Sequence, residues 1–106
     1  MNKLVKIVTF VPLKDADKVR KALGEAGVGR IGKYSHCSFS TRGIGRYNPL
    51  DGASPAIGEV GKPQEVEEER IEVVCERGIA KKVIEKMIMA HPYEQPAIEA
   101  YEILDI

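Results

Sequence analysis

Two apolar periodicities alternate along this chain, and together they mark out six elements. Residues 4–11 (Leu-Val-Lys-Ile-Val-Thr-Phe-Val) are rich in β-branched side chains and read as a buried strand that Pro12 ends. Residues 14–26 place Val19, Ala22, Leu23 and Ala26 at the spacing of an amphipathic helix, with Asp15 set to cap its start and Gly27 to close its end. Residues 34–45 read as a second strand, with Cys37 and Phe39 toward the core and His36, Ser38, Ser40 and Arg42 on the other side. Residues 66–75 alternate most clearly: Ile71, Val73 and Cys75 face inward, and Glu68, Arg70 and Glu72 outward. Residues 79–90 form a second helix. Its apolar stripe is Ile79, Ala80, Val83, Ile84, Met87 and Ile88, and its wet face is Lys81, Lys82, Glu85 and Lys86. Residues 97–104 read as the last strand. Between the second and third strands, residues 46–63 are glycine- and proline-rich and carry neither period.

The order βαββαβ predicts an α+β fold of ferredoxin-like topology, one domain over residues 1–106. Right-handed crossovers make the first two strands parallel, and a hairpin makes the third antiparallel to them. Both helices then cover one sheet face. The other face carries Glu68, Arg70, Glu72, His36 and Arg42, charges that are either solvated or matched to a partner. The same topology gathers three connections at one end of the sheet: residues 12–14, the 46–63 loop, and the run His91-Pro92-Tyr93-Glu94. His36 falls at the opposite end, roughly 30 Å away, so the two histidines of one subunit do not share a metal.

Composition narrows the function classes. Apolar residues are 43% and charged residues 30%, ordinary for a soluble globular domain. Sixteen basic and sixteen acidic side chains cancel, so no global field draws the chain to nucleic acid or to an anionic membrane. No apolar run approaches the roughly 20 residues of a membrane span. Residues 1–7 alternate like a strand and lack the apolar core of a signal peptide, so the expected location is the cytoplasm. Cys37 and Cys75 have no CxxC spacing and read as buried thiols.

The seven residues from His91 to Ala97, His-Pro-Tyr-Glu-Gln-Pro-Ala, hold a histidine, a phenol and a carboxylate on a backbone stiffened by two prolines. His91 and Glu94 suit a divalent metal ion, but two ligands do not complete a site, and no HExxH or HxH spacing supplies more. A histidine ending a helix also serves the free carbonyls and the helix dipole. The loop glycines lack a nucleotide-phosphate fingerprint, while Arg42 and Arg46 beside them suit a small anion. Tyr47, Tyr93, Glu68 and Arg70 complete the set expected at a ligand site or subunit contact. No Ser-His-Asp order and no paired-carboxylate cleft supports catalysis, so a non-enzymatic role is expected.

These segments together resemble a known family. Residues 34–39 (Tyr-Ser-His-Cys-Ser-Phe), 43–49 (Gly-Ile-Gly-Arg-Tyr-Asn-Pro), 52–61, 65–72 and 91–97 are similar in order and spacing to the YqfO-type inserted domain of the Nif-three-like proteins. The resemblance covers nearly the whole chain and implies a CutA/PII-like ferredoxin fold, standing here as a chain of its own. It implies a homo-oligomer, trimer or dimer, formed through the sheets, with a regulatory or small-ligand-binding role. The di-metal centre of full-length relatives belongs to their main domain, so its ligands do not carry over. The family's usual second glutamate is replaced by Gln95, which weakens the alternative reading that both positions bind metal.

Overall fold

The computed structural model describes residues 3–106, so Met1 and Asn2 of the strand-like run 1–7 lie outside the described residues. Strand β1 spans Leu4–Pro12, helix α1 Ala16–Glu25, β2 Phe39–Tyr47, β3 Gln64–Glu76, α2 Ala80–Ala90 and β4 Ile98–Glu102. Short 3-10 turns, Leu13–Asp15 and Arg77–Ile79, lead into the helices. The sheet order is β2-β3-β1-β4 and every neighbouring pair is antiparallel. This is the expected ferredoxin-like α+β fold.

The two faces of the sheet follow from strand parity. On one face Val5, Ile7 and Val11 of β1 and Ile71, Val73 and Cys75 of β3 meet Val19 and Leu23 of α1 and Val83 and Met87 of α2 in a single core. On the open face the register aligns four cross-strand rows. They are Lys6 with Tyr101, Phe39–Glu72–Val8–Glu99, Thr41–Arg70–Phe10, and Gly43–Glu68–Pro12. Because β3 pairs with β2 over residues 64–72 and with β1 over 68–76, residues 44–47 and 64–67 project beyond β1 as a two-stranded arm. The arm accounts for much of the 48 Å long axis.

Helix α1 ends as expected. Gly27 has φ 109°, its N–H donates to the Gly24 carbonyl, and the Val28 N–H donates to that of Leu23, the two bonds of a Schellman motif. Its start differs. Asp15 occupies the N-cap position but its side chain makes no capping bond, because the preceding 3-10 turn already holds it in a helical conformation. Ile88, expected on the apolar stripe of α2, is exposed.

Strand β2 is the larger correction. It begins at Phe39 rather than residue 34, and its faces are reversed: Phe39 shares the open face with Glu72, while Ser40 and Arg42 fall on the helix side. Arg20 of α1 explains the reversal, since it donates to both Ser40 Oγ (3.2 Å) and Glu69 (2.6 Å), tying the helix to the polar side of this edge strand. His36 precedes the strand in a left-handed turn at φ 61°, so it is not on the open face, and Cys37 is only half-buried.

The connection from α1 to β2 depends on Gly29. It has φ 71°, its N–H donates to Val74 and its carbonyl accepts from Cys37. A Cβ there would collide with the Cys37 backbone, whereas one at Gly32, φ 56°, would meet nothing. Gly29→Ala is therefore expected to cost about 2–3 kcal/mol or more, and Gly32→Ala only about 1 kcal/mol, by urea unfolding. Equal costs would show that the clash is absorbed.

Candidate functional site

The expected gathering of three connections at one end of the sheet is present, and His91 is at its centre. Strand β4 pairs with β1 only as far as Ile98–Thr9. The next residue, Phe10, has its carbonyl met instead by His91 Nε2 at 2.7 Å. The other ring nitrogen, Nδ1, accepts the Tyr93 N–H at 3.1 Å. Accepting at Nδ1 puts the proton on Nε2, so the pair of bonds selects one neutral tautomer. The side chain is 7% exposed, and burial pushes its pKa below the ordinary histidine value, partly offset by the Phe10 carbonyl and the charges of Glu68 and Asp15.

This geometry orients Tyr93. Its ring lies 5.0 Å from that of His91, and its hydroxyl donates to Glu68 Oε2 at 2.6 Å. Glu68 is on the open face, as expected, yet only 7% exposed. Its carboxylate packs against Gly45 of β2, where any Cβ would collide with it. Burial, and then the Glu68 carboxylate, drive the Tyr93 phenol far above its ordinary pKa, so it remains a donor throughout the physiological range. Tyr47 packs edge-on against Tyr93, with centroids 6.0 Å apart, and donates to the Ile57 carbonyl at 2.7 Å.

The 48–63 loop folds back over the open face and is fastened to this corner. Ser54 N–H donates to Glu94 Oε1 at 3.1 Å, and Gly61 N–H to the Pro49 carbonyl. Beneath it lies a cleft of about 900 Å³, with Phe10, Tyr47, Leu50, Glu68, Arg70 and Tyr93 among its lining residues. Arg70 lies over the Phe10 ring, 5.6 Å from its centroid, and bonds Glu72 at 3.1 Å. Arg46 pairs with Glu65 on the arm at 3.3 Å. Arg42 lines the cleft from the edge strand, on the helix side of the sheet.

Of the residues expected to act together, Arg42, Arg46, Tyr47, Glu68, Arg70, Tyr93 and Glu94 line one cleft, and His91 does not. For a metal, His91 would have to surrender one of its two protein hydrogen bonds. Among the described residues no group of three or more histidine, cysteine or acidic side chains is arranged to hold one. Sequence reasoning placed Phe10 in a buried strand and did not foresee it as part of the site. Its signal is positional, since it is the outward-facing residue just before Pro12 at the end where the loops meet.

No known family model matches the chain. It is 50% identical over 100 residues to the GTP cyclohydrolase 1 type 2 homolog of Bacillus subtilis (strain 168), covering 94% of the chain and 27% of that protein. Among solved structures, the Bacillus cereus protein related to NIF3 matches with TM-score 0.85 and 43% identity, over 98% of the chain and 26% of that one. CutA1 from Pyrococcus horikoshii matches at TM-score 0.70 and 20% identity, over 96% of the chain and 85% of that one, a likeness of fold. The chain thus spans about a quarter of the length of the NIF3-related proteins it matches, and is homologous to that domain-length part of them.

Two predictions test the corner. Tyr93→Phe removes the donor to a buried carboxylate and is expected to cost about 1–3 kcal/mol in chemical denaturation; an unchanged midpoint would show that Glu68 finds water instead. The pH dependence comes from His91. Its folded pKa lies below its unfolded value of about 6.5, so below that pH the unfolded chain binds a proton that the folded chain resists. Stability is full above the unfolded value and falls as the pH drops from 7 toward 5. His91→Gln should flatten that fall, by at most about 1.4 kcal/mol per pH unit; parallel curves for the two proteins would assign the fall to other groups.

Proposed function

We propose that this Nif-three-like domain is a non-enzymatic, self-associating module that joins copies of itself through the open sheet face and offers the loop-covered cleft to a small ligand. The observation that carries this reading is the composition of the open face. Leu4, Phe39 (63% exposed), Tyr101 (48% exposed) and Ile103 all project from the side that neither helix covers. Between them, Glu72 is already held by Lys6 and Arg70, each at 3.1 Å. The Lys6 ammonium and then the Arg70 guanidinium keep Glu72 below the ordinary carboxylate range.

An apolar rim around charges that are already paired lowers the cost of burying that surface against another copy. Several exposed apolar groups on one face, where an antiparallel sheet would ordinarily be polar, mark a contact surface. The geometry favours this over the metal-binding reading, since His91 is fully engaged in holding the corner.

The oligomeric state tests the proposal. Analytical ultracentrifugation at micromolar concentration is expected to show a dimer or trimer. Phe39→Asp, which changes an exposed residue and should leave helix content unchanged, is expected to shift it to monomer. A wild-type chain that sediments as a monomer throughout would sink the reading.

A further inference from the structure

We infer that the cleft takes a small organic cation, a protonated amine on an apolar body, with Glu68 as its counter-ion. The inference rests on the cleft being a ligand site, and it goes further by assigning the chemical class. About 900 Å³ is within the usual range for small-molecule sites, and the walls are of the usual kind: aromatic Phe10, Tyr47 and Tyr93 with aliphatic Leu50.

The charge distribution selects the class. Glu68 lines the cleft, is more than nine-tenths buried, and has a phenol but, among the described residues, no basic group as its partner. Of the three arginines in the lining, Arg70 is paired with Glu72 and Arg46 with Glu65, while Arg42 springs from the helix side of β2, the face opposite to Glu68. A buried carboxylate without a cation is costly, and an incoming ammonium would relieve that cost. Tyr93 donates to Oε2, and the carboxylate as a whole is held against Gly45, where the absent side chain makes room for it. Glu94 is a second acid in the lining, and the charge of Asp15, which is not part of the lining, acts weakly on Tyr93. The aromatic rings suit a cation as well, and Phe10 already carries the Arg70 guanidinium on its face.

Amide NMR titrations with three probes of one shape decide the matter: phenethylammonium, neutral 2-phenylethanol and anionic phenylacetate. The expected result is saturable shifts at Gly45, Glu68 and Tyr93 with the amine, binding about tenfold or more weaker with the alcohol, and none with the acid. Glu68→Gln should abolish the preference for the amine, whereas Lys6→Met, on the far rows of the same face, should not. Should Glu68→Gln lose its folded spectrum, the ranking of the probes on the wild-type chain and on Glu94→Gln still decides. Phenylacetate or the alcohol binding as tightly as the amine would overturn the cationic class and leave the cleft a ligand site. No shift with any probe at high millimolar concentration would overturn both.

Discussion

The imidazole of His91 closes the end of the sheet, and the site follows from that closure. Strand β4 gives out one residue before Phe10, which would leave a carbonyl of a central strand without its neighbour. An unpaired buried carbonyl costs about as much as a lost hydrogen bond, so the chain must supply a donor. His91 supplies it from the end of α2 and spends its second nitrogen on the Tyr93 N–H. Pro92 and Pro96, on either side of Tyr93-Glu94-Gln95, limit the other paths the backbone could take. With Tyr93 placed, its hydroxyl reaches Glu68. With Glu68 buried, β2 requires glycine at position 45. The long loop then closes over this corner through Tyr47 and Glu94.

A buried histidine and a buried glutamate near one another suggest catalysis or a metal, but their environments separate their roles. Both nitrogens of His91 face protein groups, and burial keeps it neutral. It positions the corner and has no free lone pair for chemistry. Glu68 is the opposite case. It lies in the cleft and has one firm hydrogen bond, and its charge acts on Tyr47, Tyr93 and His91 alike. Glu68 is thus the buried acid of the cleft lining, beside Glu94 and Arg42, Arg46 and Arg70, and the histidine that drew attention in the sequence is not among the lining residues.

The element order and the core were legible because the 3.6- and 2-residue periods are strong in both helices and in β1 and β3, where one face is buried. Strand β2 was not legible in the same way. It is an edge strand with glycines at 43 and 45, and Phe39, the apolar group from which its alternation is read, faces out. Alternation read from Phe39 therefore inverts both faces. The deciding interaction, Arg20 to Ser40 and Glu69, joins residues far apart in sequence and has no local signal. Glu68 was expected on the open face, where its charge would be solvated or matched to a partner. Its burial comes from Tyr93 and the loop, again contacts that no period records. Convergence of the loops was readable from topology alone, because chain direction fixes which ends meet.

Arg70 joins the two surfaces of the open face. It lies over Phe10, which lines the cleft, and it bonds Glu72, which stands beside Phe39 in the apolar rim. A group that seats on Phe10 must share that ring with the guanidinium or displace it. A copy that packs on Phe39 must bury Glu72, which is cheapest while Arg70 and Lys6 both hold it. Moving Arg70 for the first purpose weakens the conditions for the second, so occupancy of the cleft and burial of the rim share one ion pair. Were the proposed assembly and the proposed ligand both to engage this ion pair, each would bias the other by the same free energy. The 3.1 Å bond between Arg70 and Glu72 is the contact through which that coupling would pass.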